Sequence, residues 1–331
     1  MKAHGYLSAA ALLLGFSCWF PSQSAYSQST LDDVHIVSGA GGPTAADAPF
    51  RRTPGAVIRR DVKLVLVPVT ITDTRDRLVS GLGKDNFQLF DEKKRQEITQ
   101  FSDEDTAVSV GVLLDMSGSM SDKIERAREA LLDFCHVTNP QDELFLITFS
   151  DRVEMVNDFT TQVEEIQSRL PGLAPKGHTS LLDAVYLGLT HMQQARYARR
   201  ALFIISDGGD NHSRYTEGQV KSLAKEADVA IYSVGIFDRY FPTAEEVAGP
   251  MLLSGLADVT GGFSYFVENP NVLPAVAERI SSELRRQYVL AYHPQNAPDG
   301  KWHRIRVKLK LPRGLPPLLV RARPGYYAPS R

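Results

Sequence analysis

Apolar residues fall along the chain in two distinct rhythms. Continuous runs at Val108–Leu114, Leu144–Phe149, Ala201–Ile205 and Val229–Ile236 predict strands buried on both faces, with Gly262–Val267 as a further strand. Helical spacing separates them. In the segment from Ser121 to Thr138, Ile124, Ala127, Leu131 and Phe134 form one core-facing stripe. Thr179–Gln194, Thr216–Ala227, Leu252–Val259 and Asn271–Leu284 also read as helices, Arg152–Val156 as a short edge strand, and 237–250, with Pro242, Gly249 and Pro250, as a surface loop. Strands alternating with helices over 104–286 predict an α/β domain with a doubly wound, mainly parallel sheet.

The flanks have a different rhythm. Val62–Asp73 is a strand signal in which Pro68 points to an edge or a bulge. Phe87–Phe90 and Glu97–Phe101 read as a hairpin turning through the polar Asp91–Arg95. Near the other end lie Gln287–His293, Leu318–Arg323 and a strictly alternating strand, His303–Lys310. That strand has Ile305, Val307 and Leu309 on one side and Arg304, Arg306, Lys308 and Lys310 on the other, a basic row that reads as a solvated face. Neither flank is long enough for a sandwich alone. The expected architecture is a small β-sandwich formed by the N- and C-terminal flanks, 61–103 and 287–328, with the α/β domain 104–286 inserted between them.

Composition adds limits. The 331 residues are 43% hydrophobic and 23% charged, ample for a core, and the formal net charge of −2 leaves no footprint for nucleic acid. Residues 1–27 read as a signal peptide: Lys2 is the only charged residue before Asp32, Leu7–Phe20 is an apolar stretch short for a bilayer, and Ala25-Tyr26-Ser27 offers small residues at a cleavage site. The expectation is export, to the periplasm, the envelope or the medium, with no transmembrane span after cleavage; an uncleaved anchor is the alternative. Residues 28–60, rich in Gly, Ala, Pro and Asp, read as a flexible lead-in. After cleavage Cys135 is the one cysteine left, expected as a small buried hydrophobe without a disulfide. Oligomeric state is left open.

Candidate chemistry gathers where the buried runs end. The first ends in Asp115, followed by Ser117 and Ser119 with Gly118 between them, ahead of a helix. In open α/β sheets ligands bind in the crevice at the strands' carboxyl ends. Oxygen donors without thiol or imidazole favour Mg²⁺, Mn²⁺ or Ca²⁺. Two more segments complete a pattern: Lys176-Gly-His-Thr179-Ser-Leu-Leu-Asp-Ala184, and Ala201–Ser206 ending in Asp207-Gly-Gly-Asp210.

D-x-S-x-S after an apolar strand, with these two segments in this order, resembles the metal-ion-dependent adhesion site of von Willebrand factor type A domains. The layout from about 60 to 328, including Val-Pro-Val-Thr-Ile-Thr-Asp73, Gln287-Tyr-Val-Leu-Ala-Tyr and Arg323-Pro-Gly-Tyr-Tyr-Ala328, is similar to a bacterial, Acidobacteria-type group of such proteins. The resemblance implies that Ser117 and Ser119 hold a metal directly, that Thr179 does so in a liganded state, and that Asp115 and Asp207 act mostly through waters. It also implies a protein partner presenting Asp or Glu to Mg²⁺, with Mn²⁺ or Ca²⁺ as alternatives. Asp183 and Asp210 stay outside the expected metal set, and His178 reads as an exposed loop histidine with no carboxylate partner marked. No zincin, P-loop or nucleophile-elbow motif is present, so the expected class is a binding module rather than an enzyme. A metal-dependent hydrolase using Asp115 or Asp207, or a scaffold with an unused site, are the alternatives.

Overall fold

Strands that carry apolar side chains on both faces have to be covered on both faces, and the structure of the inserted region follows from that requirement. The computed structural model describes residues 64–237, 244–295, 299–311 and 316–329. The expected signal, the lead-in and the first residues of the opening strand lie outside these.

The central sheet holds β5 (Ser109–Asp115), β6 (Glu143–Phe149), β7 (Val153–Thr160), β8 (Arg200–Ser206), β9 (Ala230–Ile236) and β10 (Ser264–Val267), in the order β10-β9-β8-β5-β6-β7. All neighbours are parallel except the edge strand β7, which runs antiparallel to β6. Every residue of β5 and β6 is buried. One face packs on α1 (Ile124–Val137), α2 (Val163–Arg169) and α6 (Leu273–Arg285), the other on α3 (Leu181–His191), α4 (Glu217–Ala227) and α5 (Ala244–Asp258). This is the expected doubly wound α/β architecture.

The α1 stripe does what its spacing implies. Ile124, Ala127, Leu131 and Phe134 are all buried, and each large side chain among them contributes ~2 kcal/mol by leaving water. Cys135 is buried on the same helix as a free thiol, with its pKa pushed up to about 12 by burial. The helix starts three residues later than expected, because Gly118–Met120 form a short 3-10 turn first.

Three departures from the sequence expectations have physical causes. The short helix α2 lacks the length for a clear periodic signal, and Ile166 is its one buried residue. Helix α5 begins at Ala244 rather than Leu252, with Pro250 inside it, so part of the expected 237–250 loop is helical. A proline there removes one ladder hydrogen bond but does not stop the helix; the adjacent Gly249 packs on the loop after β8. Third, the first hairpin is tighter than expected. It joins β2 (Phe87–Asp91) to β3 (Lys94–Gln96) through Glu92 and Lys93, both at positive φ, 47° and 74°. Glu97–Thr99 are therefore a crossing between sheets, not the second hairpin strand, and β4 (Gln100–Ser102) lies in the other sheet.

Both flanks build that pair of antiparallel sheets. One has the order β13-β1-β11-β4, the other β14-β12-β2-β3, where β1 is Val65–Asp73, β11 Tyr288–Tyr292, β12 Trp302–Leu309, β13 Leu318–Ala322 and β14 Gly325–Tyr327. Each sheet mixes strands from before and after the α/β domain. Val67, Val69, Leu89, Leu290 and Tyr292 fill the core between them. Strand β12 alternates as its sequence does, with Ile305 and Val307 buried and Arg304, Arg306, Lys308 and Lys310 exposed. Asp91, fully buried, accepts hydrogen bonds from the hydroxyls of Tyr292 (3.1 Å) and Tyr326 (3.3 Å) and faces Nδ1 of His303 at 3.2 Å. Helix α6 is fastened to the sandwich by charge. Arg279 and Arg321 both pair with Asp76 at 2.9 Å, and buried Glu283 faces Arg279 at 3.4 Å and Arg321 at 3.6 Å.

Candidate metal centre

Strand β5 delivers Asp115 into the crevice at its carboxyl end, where the chain must turn sharply into α1. The turn is shaped by the acid itself: Asp115 Oδ1 accepts the Ser117 backbone N–H at 2.9 Å. Ser117 and Ser119 then bring their hydroxyl oxygens within 3.1 Å of each other, Ser117 buried and Ser119 exposed. One donor thus sits in the wall and the other at the mouth.

The other two segments converge on this loop. The backbone of the Thr179 segment is sewn to it by Lys176 N–H to Met116 O (2.8 Å) and Gly118 N–H to Gly177 O (3.0 Å). From β8, Ser206 Oγ donates to Asp115 Oδ2 at 2.6 Å and accepts the Gly208 N–H at 2.9 Å. Thr179, buried, donates its N–H to Asn211 Oδ1 at 2.9 Å, and its carbonyl accepts the N–H groups of Asn211 and His212. Asp115, Ser117, Ser119, Thr179 and Asp207 therefore stand on three loops that are hydrogen-bonded to one another.

The two carboxylates are held in a way that water does not relieve. Asp115 is fully buried, and its pKa is pushed up to about 7, first by burial and then by the negative charge of Asp207. Asp207 is also buried. Its Oδ1 accepts a long bond from Gly209 N–H at 3.4 Å, while Oδ2 has no hydrogen-bond partner among the described residues. The Lys123 ammonium, just before α1, stands 3.7 Å from that oxygen. A buried carboxylate oxygen without a donor is costly unless something cationic meets it. Two acids, two adjacent hydroxyls and a third hydroxyl on Thr179 fit a hard divalent cation. Among the described residues no group of three or more His, Cys, Asp or Glu offers a competing cluster.

Residues kept out of the metal set have structural work. Asp183 accepts N–H groups from Arg214 (2.8 Å) and Tyr215 (3.1 Å), and Asp210 accepts from Leu182 N–H and Ser213 Oγ. The reading of His178 needs correction. It is exposed, but it does have a carboxylate partner: Asp151, on the β6–β7 turn, accepts from its backbone N–H at 2.7 Å and faces Nδ1 at 2.8 Å. The same carboxylate occupies the space beside Gly177, where a Cβ would sit 2.1 Å from Asp151 Oδ2 and where φ is +78°. The ring of His178 stacks on His212 at 5.2 Å. Lys123, Asp151 and Asn211 are the site residues that sequence reasoning missed. Ser206 was visible as the hydroxyl before Asp207, but not its bond to Asp115.

Residues 110–209 match the von Willebrand factor type A domain family. A protein of Borreliella burgdorferi, described as uncharacterised, is 25% identical over 182 residues, 48% of this chain and 53% of that protein, so the match spans about half of that relative's length. A von Willebrand factor type A protein from Catenulispora acidiphila aligns with a TM-score of 0.48 and 12% identity, over 77% of this chain and 70% of that one. An aerotolerance-related membrane protein from Bacteroides fragilis aligns with a TM-score of 0.45 and 18% identity, over 54% and 98%. Proximal thread matrix protein 1 of the mussel byssus, with its MIDAS motif occupied by zinc, gives 0.46 and 12%, over 59% and 49%.

Proposed function

The chain carries a von Willebrand factor type A domain at residues 110–209, and from this premise we propose that it is an exported, metal-ion-dependent protein-binding module. The observation that carries the reading is the convergence of Ser117, Ser119 and Thr179 with two buried carboxylates, one of which has an oxygen without a donor.

In this reading Ser117, Ser119 and Thr179 would hold Mg²⁺ or Mn²⁺, and Asp115 and Asp207 would orient them and balance charge. When bound, a divalent ion supplies a positive centre for one further anionic oxygen. Neutral hydroxyls are weak charge donors, so this ligand set leaves that demand unmet within the chain. A carboxylate on a protein partner, Asp or Glu, matches it. Asp115 holds the first hydroxyl loop through the Ser117 N–H, and Ser206 fixes the orientation of Asp115, in the manner of an outer layer tuning inner donors. Among the described residues no helix is long and apolar enough to cross a membrane. Export rests on the sequence of residues 1–27.

Calorimetric titration of Mg²⁺ and Mn²⁺ into wild type, Asp115→Ala and Thr179→Ala tests the site. Asp115→Ala should abolish ion binding. Thr179→Ala should weaken it mildly and remove chelator-sensitive capture of partners from an envelope fraction. Unchanged ion affinity in Asp115→Ala would overturn the reading.

A further inference from the structure

A second site lies at the far end of the central sheet from Asp115. Strands β5, β8 and β9 begin there, and the outer face of the β13-β1-β11-β4 sheet comes up beneath them. The side chains of that outer face are unusual for a two-layer sandwich. Between the core residues Val65, Val67 and Val69, strand β1 places Leu66 and Pro68, and β11 adds Val289, all half-buried and apolar where alternation normally gives polar residues. They face Val108, Val229 and Val259 of the inserted domain across a cavity of about 230 Å³. An apolar cavity of about 150 Å³ is enough for benzene, so the space here suits a medium-length acyl chain.

The charge around this apolar wall is one-sided. Among the described lining residues, Arg199, Arg200, Lys225 and Arg323 stand against a single acid, Asp228, with Asp105 acting on Arg199 from outside the lining. Arg323 is paired with Asp228, Arg200 bonds the Tyr197 carbonyl at 3.1 Å, and Lys225 lies over the Trp302 ring at 5.5 Å. Arg199 is different. Its Nη2 donates to the carbonyls of Glu104 (3.0 Å) and Gln287 (3.4 Å), while its Nη1 is buried without a hydrogen-bond partner among the described residues. A guanidinium presents its N–H donors in a fork that matches a carboxylate, and among the described residues no carboxylate is ion-paired with this one.

We propose that this cavity binds a small amphiphile with an apolar body and one carboxylate, the carboxylate meeting Arg199 and the body lying between Leu66, Val289 and Val259. The ligand would be shared by the sandwich and the inserted domain, and the site is independent of the metal centre.

The test uses the full chain in the presence of chelator, with octanoate, octanol and acetate as probes in thermal shift and calorimetric titration. Octanoate should raise Tm and bind about tenfold more tightly than octanol, the difference being a charge-assisted contact, and acetate should have no effect. Val289→Phe, which fills the cavity from the sandwich side, should fold and lose octanoate binding. Arg199→Gln should bring octanoate down to octanol; if that variant does not fold, the wild-type comparison of octanoate with octanol still decides. No Tm shift with octanoate, which means a water-filled cavity, overturns the proposal. So does equal binding of octanol, or unchanged octanoate binding in folded Val289→Phe.

Discussion

The ammonium of Lys123 and Oδ2 of Asp207, which has no hydrogen-bond partner among the described residues, stand 3.7 Å apart in the candidate metal centre, both side chains almost fully buried. The pair joins the start of α1 to the end of β8. It places a resident positive charge beside the oxygen that a divalent cation would otherwise neutralise. Removing the ammonium should therefore have opposite effects on two measurements. Lys123→Met should destabilise the chelated protein by about 3 kcal/mol, the lower end of the cost of breaking a buried pair. It should also tighten Mg²⁺ binding roughly tenfold, since a like charge near the ion is gone. Denaturation in chelator and calorimetry with Mg²⁺ read the two effects separately. Weaker Mg²⁺ binding in the variant would mean that Lys123 orders the site rather than competing with the ion.

Asp115 gives the chelated protein a pH signature. Burial and Asp207 raise its folded pKa to about 7, above the ordinary carboxylate value, so the folded chain holds this proton more tightly than the unfolded chain does. The contribution to stability thus grows as pH falls from above 7 towards about 4, and is lost as pH rises through the folded pKa. Other carboxylates oppose the trend. Asp73, for example, has its pKa lowered, first by the Arg77 backbone N–H, and stabilises the fold only while ionised. The measurement is therefore a difference: wild type minus Asp115→Asn in chelator, at about pH 5 and about pH 8. Asp115→Asn should be the more stable of the two at the higher pH and should show little advantage at the lower.

Asp151 should act on the Thr179 segment alone. Its carboxylate accepts the His178 N–H and fills the space beside Gly177. Asp151→Ala should change global stability by no more than about 1 kcal/mol, because the bond is exposed. Hydrogen exchange at the His178 amide should nevertheless quicken about tenfold relative to neighbouring loops. Unchanged exchange at His178 would show that the backbone bonds to Met116 and Gly118 hold this segment by themselves.

Glu283 tests whether the two folding layers behave as one cooperative unit. Its buried carboxylate faces Arg279 and Arg321, which also share Asp76. Glu283→Ala leaves those guanidinium groups short of a counter-charge and should cost about 3–5 kcal/mol. Limited proteolysis of the variant should then release the C-terminal strands faster than in wild type. Equal rates would mean that apolar packing alone joins α6 to the sandwich.

The parts of this structure that were legible beforehand share a cause. Strands β5, β6, β8 and β9 are apolar on both faces because helices cover both faces, and β12 alternates because one of its faces meets solvent. Asp115, Ser117 and Ser119 were legible because one turn carries all three. What stayed hidden depends on chain segments meeting in space. Ser206 reaches Asp115 across 91 residues, and Asp151 reaches His178 across 27. The hairpin turn was read within Asp91–Arg95, but its tightness at Glu92 and Lys93 was hidden for a local reason: neither residue type is favoured at positive φ, so no Gly or Asn announced it. The first half of helix α5 was hidden because Gly249 and Pro250 ordinarily punctuate a chain. Here Gly249 is needed for close approach, since a Cβ on it would lie 2.8 Å from the backbone oxygen of Asp207.

The α/β domain leaves the sandwich after β4 and returns into β11, two strands that are direct hydrogen-bonded neighbours, with Ser102 opposite Val289. Its two tethers therefore emerge side by side, and a pull on the domain loads both in the same direction. If the chain is held upstream of Val65, that pull runs along the antiparallel pair β1 and β11 from opposite ends, since Val65 lies opposite Tyr292 and Val69 opposite Tyr288. All of these rungs resist together in shear instead of opening one at a time like a zipper. Tension between the domain's outer face and the upstream chain would pass through the domain and these rungs in series, and the sheared pair is the arrangement in which the sandwich holds longest.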